Sequence, residues 1–236
     1  MIHAVIFDMD GLLINTEKYL YQCWKQAVEE AGYHLTHEQL LCFRSLSAEF
    51  AVPRFRAMLG EGFDYQAVRK RRKELMEKHL EINGIEKKPG VDRLLLWLAQ
   101  NKYKTAVATA SDAERTKKYL TEIGIYHQFH EVVCAPSLPH GKPMPDVYLH
   151  ACARIGEKPE HCLALEDSDN GAVSAHRAGC KVIMVKDLAD PLWETAQFLD
   201  GVAENLEEVI PLLQKLQTQS GVLRGYHRKE STEDGN

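Results

Sequence analysis

No run of apolar residues in the chain approaches the ~18 that a membrane-spanning helix needs. The start has no basic n-region and no long apolar h-region, because Asp8 and Asp10 break it, so no secretory signal is expected. Cysteine is sparse: Cys23, Cys42, Cys134, Cys152, Cys162 and Cys180 form no C-x-x-C pair and read as reduced thiols of a cytoplasmic protein. The 11 histidines show no H-E-x-x-H spacing. Neither sign of charge dominates, and a net −5 argues against nucleic acid as a partner. What is present is ordinary. Hydrophobic residues at 44% and charged residues at 27% match a soluble globular domain and exclude collagen-like or wholly disordered chains. At 236 residues the chain makes one large domain or two small ones, with a core that needs neither disulfide nor metal to hold it.

Ala4-Val5-Ile6-Phe7 is a short apolar run that ends abruptly in acid, the pattern of a buried strand. Similar runs recur at 105–108, 131–134, 163–165 and 182–185, with helical patterns at about 112–123, 145–155 and 169–178 between them. That alternation predicts βαβ units and an α/β fold built on a doubly wound, Rossmann-like parallel sheet. The interval before the second strand is different. Residues 17–31, a capping box at Thr36-His37-Glu38-Gln39 and residues 64–82 are helical, and Pro89-Gly90 marks the return. An all-helical cap over 16–85 thus interrupts a core of 1–15 and 86–219, followed by a polar, loosely ordered tail over 220–236. Ligands of open α/β sheets bind beyond the carboxyl ends of the strands, so an insertion leaving there would cover the site as a lid.

Asp8-Met9-Asp10-Gly11 follows the first strand, and residues two apart on an extended segment point the same way. Alone, such a pair reads as solvated loop acids. Glu166-Asp167-Ser168 follows another apolar strand in the same manner, which places three or four carboxylates around one point. Such a cluster calls for a hard cation, and Mg²⁺ suits oxygen ligands with retained waters. Thr109-Ala110-Ser111 ends a strand and opens a helix, where a hydroxyl and free N–H groups suit an anion or serve only as a cap. Lys142, in Gly141-Lys142-Pro143-Met144-Pro145-Asp146, adds a positive charge on a loop that prolines stiffen.

In order and spacing, Asp8-Met9-Asp10-Gly11, Thr109, Lys142 and Glu166-Asp167-Ser168 resemble the four motifs of the haloacid dehalogenase-like phosphatase superfamily. The resemblance extends to about residue 215. It is nearest the branch with a helical cap after the first motif, which includes β-phosphoglucomutase and phosphatases of sugar or nucleoside monophosphates. The resemblance implies a small phosphorylated metabolite as substrate, with Asp8 as nucleophile and Asp10 as general acid and then base. It implies Mg²⁺ held by Asp8, the carbonyl of Asp10 and Asp167, with Glu166 nearby or direct. It implies that Thr109, the Ala110 amide and Lys142 hold the phosphoryl oxygens; Ser111 beside them is a candidate substrate contact. All catalytic residues lie in one chain, so a monomer suffices. Two departures stand out: Asn15 replaces a common aspartate, and Leu20 replaces the cap histidine of the mutase subgroup, which favours a hydrolase.

In the cap, Arg69-Lys70-Arg71-Arg72-Lys73 reads first as a solvated helix face. The stripe Val68, Leu75, His79, Ile82 nevertheless carries Arg72 at an apolar step, so Arg72 or Lys73 is a candidate substrate contact. Arg44, in Phe43-Arg44-Ser45-Leu46-Ser47, is another, while Trp24, Met58 and Trp97 are read as core. The alternatives are a phosphosugar mutase, a metal-free dehalogenase, which would not need Asp10 with Glu166-Asp167, and a non-catalytic phosphometabolite-binding protein.

Overall fold

The computed structural model describes residues 1–218, so the tail over 220–236 lies outside the described residues. Six strands, β1 (Ala4–Phe7), β2 (Lys104–Thr109), β3 (Glu131–Cys134), β4 (Cys162–Glu166), β5 (Lys181–Val185) and β6 (Gly201–Ala203), form one sheet in the order β3-β2-β1-β4-β5-β6. Every pairing is parallel. The chain therefore winds outward from β1 in one direction, then returns to β1 and winds the other way. Five strands follow the apolar runs. The sixth has three residues, one of them the exposed Val202, and is too short to carry a pattern.

Between β1 and β2 lie α1 (Glu17–Glu30), α2 (His37–Leu41), α3 (Ala48–Leu59), α4 (Tyr65–Asn83) and α5 (Val91–Gln100). The later crossovers are α6 (Ala113–Glu122), α7 (Asp146–Arg154) and α8 (Asp169–Ala178). Strand β1 is buried along its length, with Val5 and Phe7 on one face and Ala4 and Ile6 on the other. The first face is large and aliphatic, meeting Leu94 and Leu98 of α5 and Leu120 of α6. The second is built largely from alanine, Ala106, Ala108, Ala164, Ala172 and Ala175, which lets α7 and α8 approach closely.

Helices α1 to α4 enclose a separate apolar cluster centred on Phe55, which stacks at 3.8 Å on Phe43 and 5.1 Å on Phe63. The expected capping box opens α2: Thr36 Oγ1 accepts from the Gln39 amide at 3.2 Å, and Gln39 Oε1 accepts from the Thr36 amide at 2.8 Å. Helix α3 contains Pro53, which breaks its periodicity and hides it in the sequence. Met58, expected in the core, is exposed, because it lies in the last turn of α3 beyond the Phe55 contact. Ile82 is also exposed, and Met76 takes the buried position on α4. The chain leaves and re-enters the sheet layer side by side, where the Asn15 amide donates to the Glu86 carbonyl at 2.8 Å and Asn15 Nδ2 donates to the Glu86 carboxylate at 2.8 Å. Among the described residues no helix is long and apolar enough to cross a membrane.

Candidate active site

The register of the sheet assembles the site. Phe7 pairs with Leu165 and with Val107, so Asp8 leaves β1 level with Glu166 at the end of β4 and close to Thr109 at the end of β2. This is the point where the winding direction changes, and it opens onto a cavity of about 980 Å³ between the sheet and the helices above. Asp8, Asp10, Thr109, Ala110 and Ser111 line its floor, and Trp24 and Arg72 line its wall.

Asp8, Glu166, Asp167 and Lys142 are all buried, and Lys142 is 0% exposed. Lys142 Nζ donates to Asp8 Oδ1 and to Glu166 Oε1, each at 2.6 Å. Tyr148 Oη donates to the same Glu166 oxygen at 2.5 Å. A β-carbon at Gly171 would overlap the Glu166 carboxylate, and one at Gly11 would overlap that of Asp167, so both glycines make room for the acids. Burial works against the Lys142 charge, but Asp8 and Glu166 outweigh it and hold its pKa above the ordinary lysine value. Burial pushes the Asp8 and Asp167 carboxyls up; Lys142 opposes this at Asp8 and Arg44 at Asp167, while neighbouring carboxylates add to it.

One ammonium, with the Arg44 guanidinium on Asp167 shared with Glu17 and Asp187, leaves negative charge in excess among three buried carboxylates. Single ligand atoms of Asp8, Glu166 and Asp167 lie within 4.8 Å of one another. Asp8 Oδ2 and Asp167 Oδ1 are buried without a hydrogen-bond partner. Hard oxygen donors in deficit of positive charge fit a divalent cation such as Mg²⁺. The deficit lies on Asp8 and Asp167; Glu166 Oε1 is already engaged by Lys142 and Tyr148, so that oxygen fixes the lysine.

Asp10 points away from this cluster. Its Oδ1 accepts from Thr16 Oγ1 and from Arg115 Nη2, both at 2.6 Å, and its Oδ2 accepts from Ser111 Oγ at 2.8 Å. Leu20, where the mutase subgroup has its cap histidine, offers no hydrogen bond, and Asp10 is restrained by Arg115, Ser111 and Thr16. Arg115 escaped the sequence reading, although it carried a signal: a cation in the first turn of a helix opposes the dipole. Thr109 Oγ1 accepts from the Ser111 amide at 3.1 Å, which holds the turn beneath Ala110.

Arg44, a candidate substrate contact, is 7% exposed and ion-paired to Asp167, to Asp187 at 3.4 Å and to Glu17 at 3.5 Å. It joins the helical layer to the sheet. Burial raises the pKa of Glu17 to about 7 against the pull of Arg44. Glu17 and Asp187 were also missed; Asp187 stands two residues beyond β5, an acid soon after an apolar strand, which was its signal. Arg72 does sit on the inward face of α4, 5.2 Å from the Trp24 ring centre, while Lys73 is exposed at the cavity.

Residues 5–185 match the model of the haloacid dehalogenase-like hydrolases. The chain belongs to this family. YhcW of Bacillus subtilis is 31% identical over 186 residues, which cover 78% of this chain and 84% of that protein. Fructose-1-phosphate phosphatase YqaB of Escherichia coli is 27% identical, over 78% of this chain and 96% of its own length. The crystal structure of β-phosphoglucomutase from Clostridium difficile superposes with a TM-score of 0.76 at 20% identity, covering 94% of this chain and 100% of that one. Within the family match lie Asp8, Asp10, Thr109, Lys142, Glu166 and Asp167, so the haloacid dehalogenase-like segment contains the buried cluster of Asp8, Lys142, Glu166 and Asp167.

Proposed function

We propose that this hydrolase releases phosphate from a small phosphomonoester, a sugar or nucleoside monophosphate, with Mg²⁺ and through an aspartyl-phosphate on Asp8. The observation that carries the reading is the buried trio Asp8, Glu166 and Asp167, with two orphaned oxygens, beside one buried lysine, reached from the cavity at Asp8. Asp8 and Asp167 would hold the cation, which neutralises the phosphoryl oxygens and orients the ester when bound. Asp8 attacks phosphorus, the bond to the ester oxygen breaks, and Asp10 delivers its proton to that oxygen. Water then attacks the aspartyl-phosphate, Asp10 takes its proton, and the Asp8–phosphorus bond breaks. Thr109, the Ala110 amide and Lys142 bind the transferring oxygens throughout. Helices α1 to α4 act as the lid that excludes bulk water.

The test is a panel of hexose, pentose, nucleoside and polyol phosphates assayed for released phosphate. Chelator should abolish turnover and Mg²⁺ restore it, while Ca²⁺ supports it poorly, because its ~2.3–2.6 Å ligand distances misplace oxygens that Mg²⁺ holds at ~2.0–2.1 Å. Full activity in excess chelator would refute the metal assignment. Asp10→Asn should lower kcat by ~10²–10⁴-fold, the usual worth of general acid–base catalysis. A loss below tenfold would give the proton to another group.

One observation favours a second reading, a phosphosugar mutase: Asp10 is restrained by three donors. A mutase must withhold that group until sugar is present. Glucose 6-phosphate accumulating from β-glucose 1-phosphate faster than free phosphate, primed by the 1,6-bisphosphate, would establish it.

A further inference from the structure

The upper wall of the cavity carries two cations that the phosphoryl chemistry does not use, Arg69 and Arg72, opposite Arg115, which holds Asp10. Arg69 and Arg72 come from α4, and Arg115 from α6 stands across the cavity. Arg72 lies over the face of Trp24 at 5.2 Å, and its Nε is buried with no hydrogen-bond partner. Among the described residues Arg72 forms no ion pair within 4.0 Å. Its neighbours are mostly of its own sign. Burial, then Arg115 and Arg69, push its pKa down to about 10, with Tyr65 and Asp10 in opposition. The other acids nearby on α4 and α6, Glu77, Glu81, Glu114 and Glu122, are exposed. A half-buried guanidinium whose close charges are guanidinium groups is unfavourable by itself. An anion in the cavity relieves it, and the planar fork of arginine matches a carboxylate or phosphate.

We propose that Arg72, backed by Arg69 and Arg115, forms a second anion subsite, so that the substrate is a phosphomonoester bearing a further carboxylate or phosphate remote from the reacting group. The inference rests on the phosphatase reading and deepens it by substrate class. Arg115 links the two ends, because the guanidinium facing this subsite also holds Asp10. An anion that draws Arg115 toward Arg72 loosens Asp10, so the second charge should raise kcat as well as lower KM.

Three pentose derivatives of equal length test it: a pentitol 5-phosphate, the matching pentonic acid 5-phosphate and the pentitol 1,5-bisphosphate. In the wild type, kcat/KM for one or both doubly anionic esters should exceed that of the pentitol monophosphate by about 10- to 100-fold, the scale of one charge-assisted contact. Which of the two leads identifies the second group. Arg72→Met should bring the ratio toward one, and Arg72→Lys should restore part of it. A wild-type ratio near one, with the monophosphate hydrolysed, overturns the subsite and leaves the phosphatase standing. Phosphonate analogues of the same three compounds, titrated by calorimetry into wild type and Arg72→Met, test the subsite without turnover. Equal affinity for singly and doubly anionic analogues overturns it whatever the reaction proves to be.

Discussion

Asp8→Asn abolishes phosphate release, with a loss on the order of 10⁴–10⁶-fold, the scale of deleting a nucleophile. The amide is nearly isosteric but far less nucleophilic, and it weakens the cation site whose orphaned oxygen Asp8 supplies. The variant should remain folded, because Asp8 is a source of electrostatic strain in the metal-free protein. Its pKa is raised from 3.8 to about 8, first by burial. For a raised carboxyl the protonated form favours the fold, so that stability is present at low pH and is lost as pH rises from about 4 through about 8. Glu17, raised to about 7, adds loss within the same window. Urea midpoints in chelator should therefore fall with pH in the wild type and fall less in Asp8→Asn. Turnover within tenfold of wild type would remove the aspartyl-phosphate from the mechanism.

Lys142→Met is expected to have the largest effect on stability. The lysine is the cation that contacts Asp8 and Glu166 directly, at 2.6 Å each and with no exposure. Methionine fills much the same volume but leaves two buried carboxylates facing each other. Breaking such a pair from one side costs about 3–5 kcal/mol, because a buried charge is left uncompensated. Mg²⁺ should recover part of this by neutralising Asp8. Activity at saturating Mg²⁺ should still fall by ~10²–10³-fold, since a fixed donor to the transferring oxygens is gone. The rescue separates the roles: a variant whose stability Mg²⁺ partly restores while kcat stays low has lost the phosphoryl contact. If chelated wild type and Lys142→Met melt together, the lysine does not compensate the cluster.

The most legible parts of this protein are those written in short segments. Apolar runs that stop at acid marked β1 and β4 and, with them, Asp8, Asp10, Glu166 and Asp167, because a strand buried on both faces has a continuous apolar sequence and ends where its polar residues meet the site. The break in alternation after β1 marked the helical insertion for the same reason. Local pattern stated less about α3, where Pro53 interrupts it, and about β6, which has only three residues. It could not state how the carboxylates are shared. Lys142 meets Glu166 across 24 residues, Arg115 meets Asp10 across 105, and Arg44 meets Asp167 across 123. Those pairings are set by the order of the strands and the docking of α1 to α4 on the sheet. The sequence by itself determined which residues can do chemistry. Only the tertiary structure decided that Arg44 is spent on acids, that Arg115 holds Asp10, and that Arg72 stacks on Trp24 with no ion pair among the described residues. Charges act through space, and the distances between them are fixed by packing far along the chain.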